Sequence, residues 1–496
     1  MVKQTLDKDL DRIDQIGFEA AKSGSSYKAL ALAVLFLLIV WVFAAIIVDS
    51  GEYSYLIIIA AIIGGYMALN IGANDVANNV GPAVGSRALT MVGALVIAAI
   101  FEASGAILAG GDVVNTIKKG IIDPNAMQSS EVFIWAMMAS LFAAALWVNI
   151  ATWVGAPVST THAVVGGVMG AGIAAAGFDV VNWNTMSAIA ASWVISPVMG
   201  GVIAAVFLAF IKSNIIYQED KVAAAKRWVP LLVAIMAGVF SAYLIMKGLK
   251  KIWKPDAVTI TLLALGFFAL AYAIVRPVVA KAAVGMENRN KSIRTLFTIP
   301  LICSAALLSF AHGANDVANA VGPLAAIVGS SASGAIDAKV GIPLWVMVIG
   351  AVGLSAGLFL FGPKLIRTVG EQITKMNPMR AYCVALSAGI TVLIASALGL
   401  PVSSTHIAVG AVFGVGFFRE WDTERRAKLL RANLRQAKIH PESNLPEETE
   451  EPSAKRRKKL VRRSHFMTII AAWIITVPCA ALLAAGVFML ISYFAA

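Results

Sequence analysis

The sequence predicts an all-α, polytopic membrane protein folded as two inverted repeats with broken or reentrant helices. Three observations predict it: apolar runs of membrane-spanning length recur from end to end, a pair of polar motifs occurs twice in the same order, and the placement of basic loops inverts one half relative to the other. Hydrophobic residues make up 59% of the 496 and charged residues only 14%, against about a half and a quarter in soluble domains. Most of the chain therefore belongs in lipid.

Runs of about 20 residues, the length that crosses a hydrocarbon core of roughly 30 Å, lie at 29–48, 53–72, 88–110, 131–154, 157–177, 185–211, 229–248, 257–275, 295–314, 344–366, 381–400, 402–418 and 465–494. These thirteen runs set the expectation at about 12–13 membrane segments, with those at 157–177 and 402–418 read as broken helices. The first run follows a polar segment with no small-residue cleavage site, so it reads as a retained membrane helix. The expected division is a cytoplasmic segment 1–28, an extra membrane helix in 29–52, a first repeat 53–211, connecting helices and loops 212–294, and a second repeat 295–494 carrying a basic cytoplasmic insertion at 419–464. Cys303, Cys383 and Cys479 are far apart in or beside apolar runs and imply neither a disulfide framework nor a thiolate metal site.

The net charge of +12 does not indicate nucleic acid, because Lys and Arg sit in loops and 419–463 alone holds 14 of the 40. Such loops are the cytoplasmic excess of positive charge expected of a membrane protein. With the N-terminus inside, the basic stretches 212–228, 276–294, 367–380 and 419–464 fall in the cytoplasm and the C-terminus falls outside. The exception is 247–256, whose four lysines this count places outside. The expected location is the plasma membrane, or the inner membrane in a bacterium.

The halves repeat each other. GANDVANNVGP at 72–82 returns as GANDVANAVGP at 313–323, and APVSTTHAVVGGVMG at 156–170 returns as LPVSSTHIAVGAVFG at 400–414, at offsets of 241 and 244 residues. Self-similarity of this kind governs the whole fold. The run at 53–72 begins outside and its counterpart at 295–314 begins inside, so the repeats are inverted. Inverted repeats with a site at their interface are a recurring plan of secondary transporters, because exchanging the conformations of two similar halves opens one site to opposite faces.

Each GAND motif sets an Asp and flanking Asn residues at the end of an apolar run: Asn74, Asp75, Asn78 and Asn79 in one half, Asn315, Asp316 and Asn319 in the other. An intramembrane carboxylate needs a partner or water. One reading is a capped helix end. The other is a cation site, in which Gly72, Gly313 and the Gly-Pro pairs 81–82 and 322–323 open the backbone where it lines a cavity. PVSTTH and PVSSTH place Pro and three consecutive hydroxyls (Ser159, Thr160, Thr161; Ser403, Ser404, Thr405) at the start of a small-residue helix. Unpaired N–H groups and the positive end of the helix dipole attract an anion there, and the hydroxyls add donors without charge. A cap on a reentrant turn is the simpler reading of the same residues.

His162 and His406 close these motifs as ligands or as hydrogen-bonded structural residues; with His312 the only other intramembrane His, no zinc spacing exists. No P-loop and no asymmetric nucleophile and base pair stands out, so neither ATP use nor an enzyme is expected. Glu102, inside the run 88–110, has no acidic counterpart in 351–362; it either couples proton or cation movement or binds a neighbouring helix. The insertion 419–464 reads as an amphipathic helix, an acidic linker and a polybasic segment, either a solvated loop near anionic lipid or a regulatory element.

With GANDVAN and PVS-T-H each duplicated in this order, residues 53–494 resemble the PiT family of inorganic phosphate transporters. The resemblance implies a secondary active symporter that imports inorganic phosphate with sodium by alternating access, as a bilayer-embedded homodimer. It implies no cofactor beyond sodium as co-substrate, and no nucleic acid. Carried over by motif, it implies phosphate binding by Ser159, Thr160, Thr161, Ser403, Ser404, Thr405, Asn78 and Asn319, and cation binding by Asn74, Asp75, Asn315 and Asp316, with sodium at Asp75 and Asp316. Glu102 falls where the family often has a functional glutamate. The missing second glutamate, the helix at 29–48 and the basic insertion depart from the family pattern. Protons in place of sodium, a metal-phosphate complex or sulfate in place of phosphate, and a non-transporting scaffold or sensor acting through 419–464 are the alternatives.

Overall fold

Polar residues that punctuate the apolar runs act as helix caps. Thr90, Asn182, Asp220 and Asn377 each accept a hydrogen bond from the backbone N–H three residues on, at 2.9–3.1 Å, satisfying donors that a helix start leaves unpaired. Pro378 follows Asn377 at the first helical position, where its missing N–H costs nothing.

The computed structural model describes residues 27–154, 158–248, 253–333, 341–372, 376–439 and 463–495. The segment expected at 1–28 lies almost wholly outside the described residues, as do Pro157 and the acidic and polybasic parts of 419–464. In chain order the helices are α1 (Tyr27–Ile47), α2 (Ser54–Gly85), α3 (Met91–Ala109), α4 (Gly111–Lys119), α5 (Ser130–Val154), α6 (Thr160–Ala176), α7 (Trp183–Ile211), α8 (Lys221–Tyr243), α9 (Ala257–Ala282), α10 (Asn290–Leu296), α11 (Thr298–Ser333), α12 (Leu344–Gln372), α13 (Pro378–Ala397), α14 (Ser404–Ile439) and α15 (Arg463–Ala495). Among the described residues there is no strand, only an isolated bridge between Ile122 and Val181. Eleven helices among the described residues are long and apolar enough to cross a membrane. The runs at 157–177 and 402–418 become the short α6 and the apolar start of α14.

The repeats interlock. Helix α2 packs along α12 and α11 along α3, while α6 packs along α15 and α14 along α7. Each pair joins one half of the chain to the other. Glycines set the closest approaches: a Cβ on Gly72 would lie 2.0 Å from the backbone oxygen of Leu354, and a Cβ on Gly313 would lie 2.0 Å from that of Glu102. This corrects the expectation that the motif glycines open the backbone. Gly72, Gly81-Pro82, Gly313 and Gly322-Pro323 all lie inside continuous helices, so the GAND motifs stand within α2 and α11 rather than at their ends. The glycines are spent on contact between helices.

At one end of the bundle the two halves are also tied by charge. Asp422 on α14 accepts from Lys212 Nζ at 2.6 Å, from the Tyr217 hydroxyl and from Arg426 Nε at 3.4 Å. At the other end Lys247 donates to Asp112 Oδ2 and to the carbonyl of Ala397, each at 2.7 Å. That contact gives one of the exceptional lysines of 247–256 a carboxylate partner.

Candidate functional site

The second PVS motif begins where Gly399, at φ +70°, ends α13, a conformation that glycine adopts without a side-chain penalty. Chain between α13 and α14 leaves carbonyls without helical partners, which lipid does not tolerate. Four successive ones are taken by side chains from four helices. Thr116 of α4 donates to Gly399 O at 2.6 Å, Asn315 of α11 to Leu400 O at 3.1 Å, Trp193 of α7 to Pro401 O at 3.1 Å, and Thr161 of α6 to Val402 O at 2.9 Å. Asn315 Oδ1 also accepts from Val402 N at 3.2 Å. The break is a built feature.

Both motif helices then start alike. Ser159 caps α6 by accepting from His162 N at 3.2 Å, and Ser403 caps α14 by accepting from His406 N at 3.3 Å. The remaining hydroxyls turn to the GAND carboxylates. Thr160 donates to Asp75 Oδ2 and Ser404 to Asp316 Oδ2, both at 3.0 Å. These two contacts are counterparts under the repeat. Thr405 crosses the seam to donate to Asp75 Oδ1 at 2.8 Å, and Asn78 donates to Thr405 Oγ1 at 2.8 Å. Asn319 donates to Thr161 and Thr160 at 3.1 and 3.3 Å. Apart from the half-buried Asn78, these side chains are at most 5% exposed.

The two halves differ in one layer. Glu102 of α3 accepts from Asn79 Nδ2 at 2.7 Å. His312 of α11 sets Nδ1 3.1 Å from Glu102 Oε1 and Nε2 2.9 Å from Asp316 Oδ2, with Asp75 Oδ2 at 4.0 Å. Both ring nitrogens thus lie near a carboxylate without meeting hydrogen-bond geometry to it. The repeat offset matches His312 with Ile71, and the glycine contacts match Glu102 with Leu354, since Leu354 stands against Gly72 as Glu102 stands against Gly313. One half thus holds a buried acid and imidazole where the other holds two buried aliphatic residues. Ligand atoms of Asp75, His312 and Asp316 lie within 4.8 Å of one another, so with a neutral imidazole turning its lone pair inward the three could hold a cation, whereas a protonated imidazole would itself supply the positive charge.

The structure brings Asp75, Asp316, Thr160, Thr161, Ser404, Thr405, Asn78 and Asn319 together at the meeting of α6 and α14 with α2 and α11. Ser159 and Ser403 are occupied as caps. Asn74 and Asn315 do other work: Asn74 donates to Thr152 at 2.8 Å and Asn315 to Ser396 at 3.0 Å, besides its grip on the break. The side-chain amide of Asn315 is engaged through its nitrogen, with Ser396 and Leu400, and through its oxygen, with Val402 N. Sequence reasoning passed over His312 as a site residue and missed Thr116 and Trp193. The available signal was the position of His312, four residues before Asp316 on one helix face.

Helices broken at membrane depth, their starts facing buried carboxylates across the seam of two inverted repeats, define a multi-pass transporter. Comparison with known proteins narrows the class. A model of the phosphate transporter family matches residues 71–484. A Helicobacter pylori J99 protein named "Putative phosphate permease" is 48% identical over 506 aligned residues, covering 94% of this chain and 95% of that one. A likewise named relative from Pyrococcus abyssi is 33% identical, covering 88% of this chain and 98% of its own length. A solved structure titled "The sodium-dependent phosphate transporter" superposes with a TM-score of 0.77 at 34% identity, over 88% of this chain and 99% of that one. The chain belongs to the phosphate transporter family.

Proposed function

We propose that the chain is a secondary active symporter that imports inorganic phosphate together with sodium by alternating access. The observation that carries this reading is the shared use of donors: Thr160, Ser404 and Thr405, at the two helix starts where an oxyanion is favoured, donate to Asp75 and Asp316. A cation on those carboxylates competes for the oxygen lone pairs the hydroxyls use. It frees donors for phosphate and at the same time neutralises charge that would repel the anion. Cation first and anion second couples the fluxes, because only the loaded or the empty carrier presents a balanced site. Oxygen donors suit a hard cation, and the printed title of the solved relative supports sodium. The basic segments support a plasma-membrane carrier with a cytoplasmic N-terminus and an outside C-terminus. One observation favours a proton as coupling ion instead, namely the imidazole of His312 lying between two carboxylates.

Labelled phosphate should enter proteoliposomes several-fold faster under an inward sodium gradient than in choline at the same pH; uptake indifferent to sodium removes the sodium reading. Thr160→Val and Thr405→Val each delete one donor to a charged group, worth about 1.5–3 kcal/mol. Each should lower kcat/KM for phosphate by about tenfold to a hundredfold, and wild-type values in both would remove these hydroxyls from the site.

A further inference from the structure

The seam between α7 and α14 is made by backbone. A Cβ on Gly410 would lie 2.2 Å from Pro197 O, and one on Gly414 would lie 2.0 Å from Gly201 O. Helices pressed together through glycine leave no side chains to fill the angle beside their contact. Here that angle, closed on its third side by Ile474 and Val477 of α15, is a cleft of about 980 Å³. On α7 it extends from Ala190 to Ala205, about 22 Å at the helical rise, more than half of a hydrocarbon core of roughly 30 Å. Val194, Val198 and Val202 line it and are 69%, 63% and 58% exposed. Among the described residues that line it, only His162, Trp193 and Trp421 have polar side-chain atoms.

We propose that this cleft holds one acyl chain of an anionic phospholipid. The flanking helices α7 and α15 contain membrane spans, so the cleft meets lipid rather than water, and its length suits a single chain of one leaflet. Its mouth selects the headgroup. Phe418 and Trp421 mark the end at which α14 continues as a polar helix, and the guanidinium of Arg425 lies 5.3 Å from the Trp421 ring. Arg425 has no carboxylate partner among the described residues, whereas its neighbours Lys212 and Arg426 are held by Asp422. An exposed arginine on an aromatic ring at the membrane surface fits a phosphodiester. The deep end reaches the transport site. Trp193 is packed 3.9 Å from His162, centroid to centroid, and donates to Pro401 O of the second break. An acyl chain against Trp193 keeps that donor seated, so the lipid supports the start of α14 that carries Ser404 and Thr405.

Retention of lipid tests the site, and uptake tests its consequence; the second rests on the transport reading above and the first does not, so the two fail separately. Native mass spectrometry of the full chain in detergent, titrated with phosphatidylglycerol or phosphatidylethanolamine, should show one lipid held per chain with preference for phosphatidylglycerol. Arg425→Ala should cut that preference by about fivefold, the worth of one arginine at an anionic surface. Val202→Trp and Val198→Trp, which fill the cleft from its exposed wall, should abolish retention and slow phosphate uptake in vesicles containing phosphatidylglycerol. Equal retention by wild type and a folded tryptophan variant overturns the proposal. So does an unchanged preference in Arg425→Ala, which keeps the test decisive if neither tryptophan variant folds. A change of oligomeric state in place of lipid loss assigns the cleft to a second copy of the chain and overturns it as well.

Discussion

Exchanging Glu102 for leucine and His312 for isoleucine, singly and together, rebuilds the charged layer of one repeat in the image of the other. His312 sits among three carboxylates, Glu102, Asp316 and Asp75. Removing the imidazole alone leaves three buried carboxyl groups without their shared nitrogen partner; removing Glu102 alone leaves one ring nitrogen facing leucine. Removing both takes out the two partners together. If both groups are charged, opposite charges at 3.1 Å and an effective dielectric of about 20 attract by about 5 kcal/mol before desolvation. Breaking a buried pair from one side costs about 3–5 kcal/mol, whereas replacing the whole pair with packed apolar groups is close to neutral. Each single variant should therefore lose about 3–5 kcal/mol, and the double should lose much less than their sum, with a coupling of about 3 kcal/mol. Unfolding free energies in detergent at fixed pH and sodium measure the cycle. If the pair serves the proposed transport, the double variant should remain folded while its phosphate uptake falls. Coupling within about 0.5 kcal/mol of zero would refute the reasoning, since the four species would then differ only by independent packing changes.

Two further outcomes follow from packing and charge. Gly72→Ala and Gly313→Ala each drive a Cβ to 2.0 Å from a carbonyl on the facing helix; backbone cannot swing aside, so each should destabilise by about 3 kcal/mol or more in thermal unfolding, while Gly266→Ala, open at the same position, should not. Burial raises the Asp422 carboxyl, but hydrogen bonds from Lys212 and Tyr217 and the charges of Lys212 and Arg426 hold it below the usual carboxylate range. A depressed native value contributes stability above the unfolded value, about 3.9, that is lost as pH falls through the native one. Acidification from about pH 4 to about pH 2 should thus destabilise wild type more than Asp422→Asn, and equal losses would remove Asp422 from the account.

The sequence made legible whatever is local or repeated. Apolar runs became helices because length and composition alone decide them, and Ser159 and Ser403 announced helix starts because capping depends on three residues in a row. Duplication then pointed to Asp75, Asp316 and the hydroxyls before any geometry was known. What stayed hidden depends on partners far away in the chain. Gly72 and Gly313 read as openings because their real contacts, Leu354 and Glu102, lie on helices of the opposite repeat. His312 entered the sequence reading only in excluding a zinc site; that α3 brings Glu102 to its other nitrogen depends on the fold. Asn315 read as a cation ligand because Asn oxygens suit one; its grip on the backbone of Leu400 and Val402 could not be read from the motif. Thr116 and Trp193 carry no motif at all, and only the path of the break reveals their work.

Equilibrium binding of phosphate at increasing sodium tests the central claim most directly, because in this account the carboxylates that take sodium otherwise occupy the hydroxyl donors that phosphate needs. Calorimetry on the detergent-solubilised chain should show phosphate affinity rising with sodium by about 5–150-fold, with sodium affinity rising by the same factor when phosphate is bound, and the linkage should vanish in Asp75→Asn/Asp316→Asn. Phosphate affinity unaffected by sodium, or full linkage in the double variant, would contradict it.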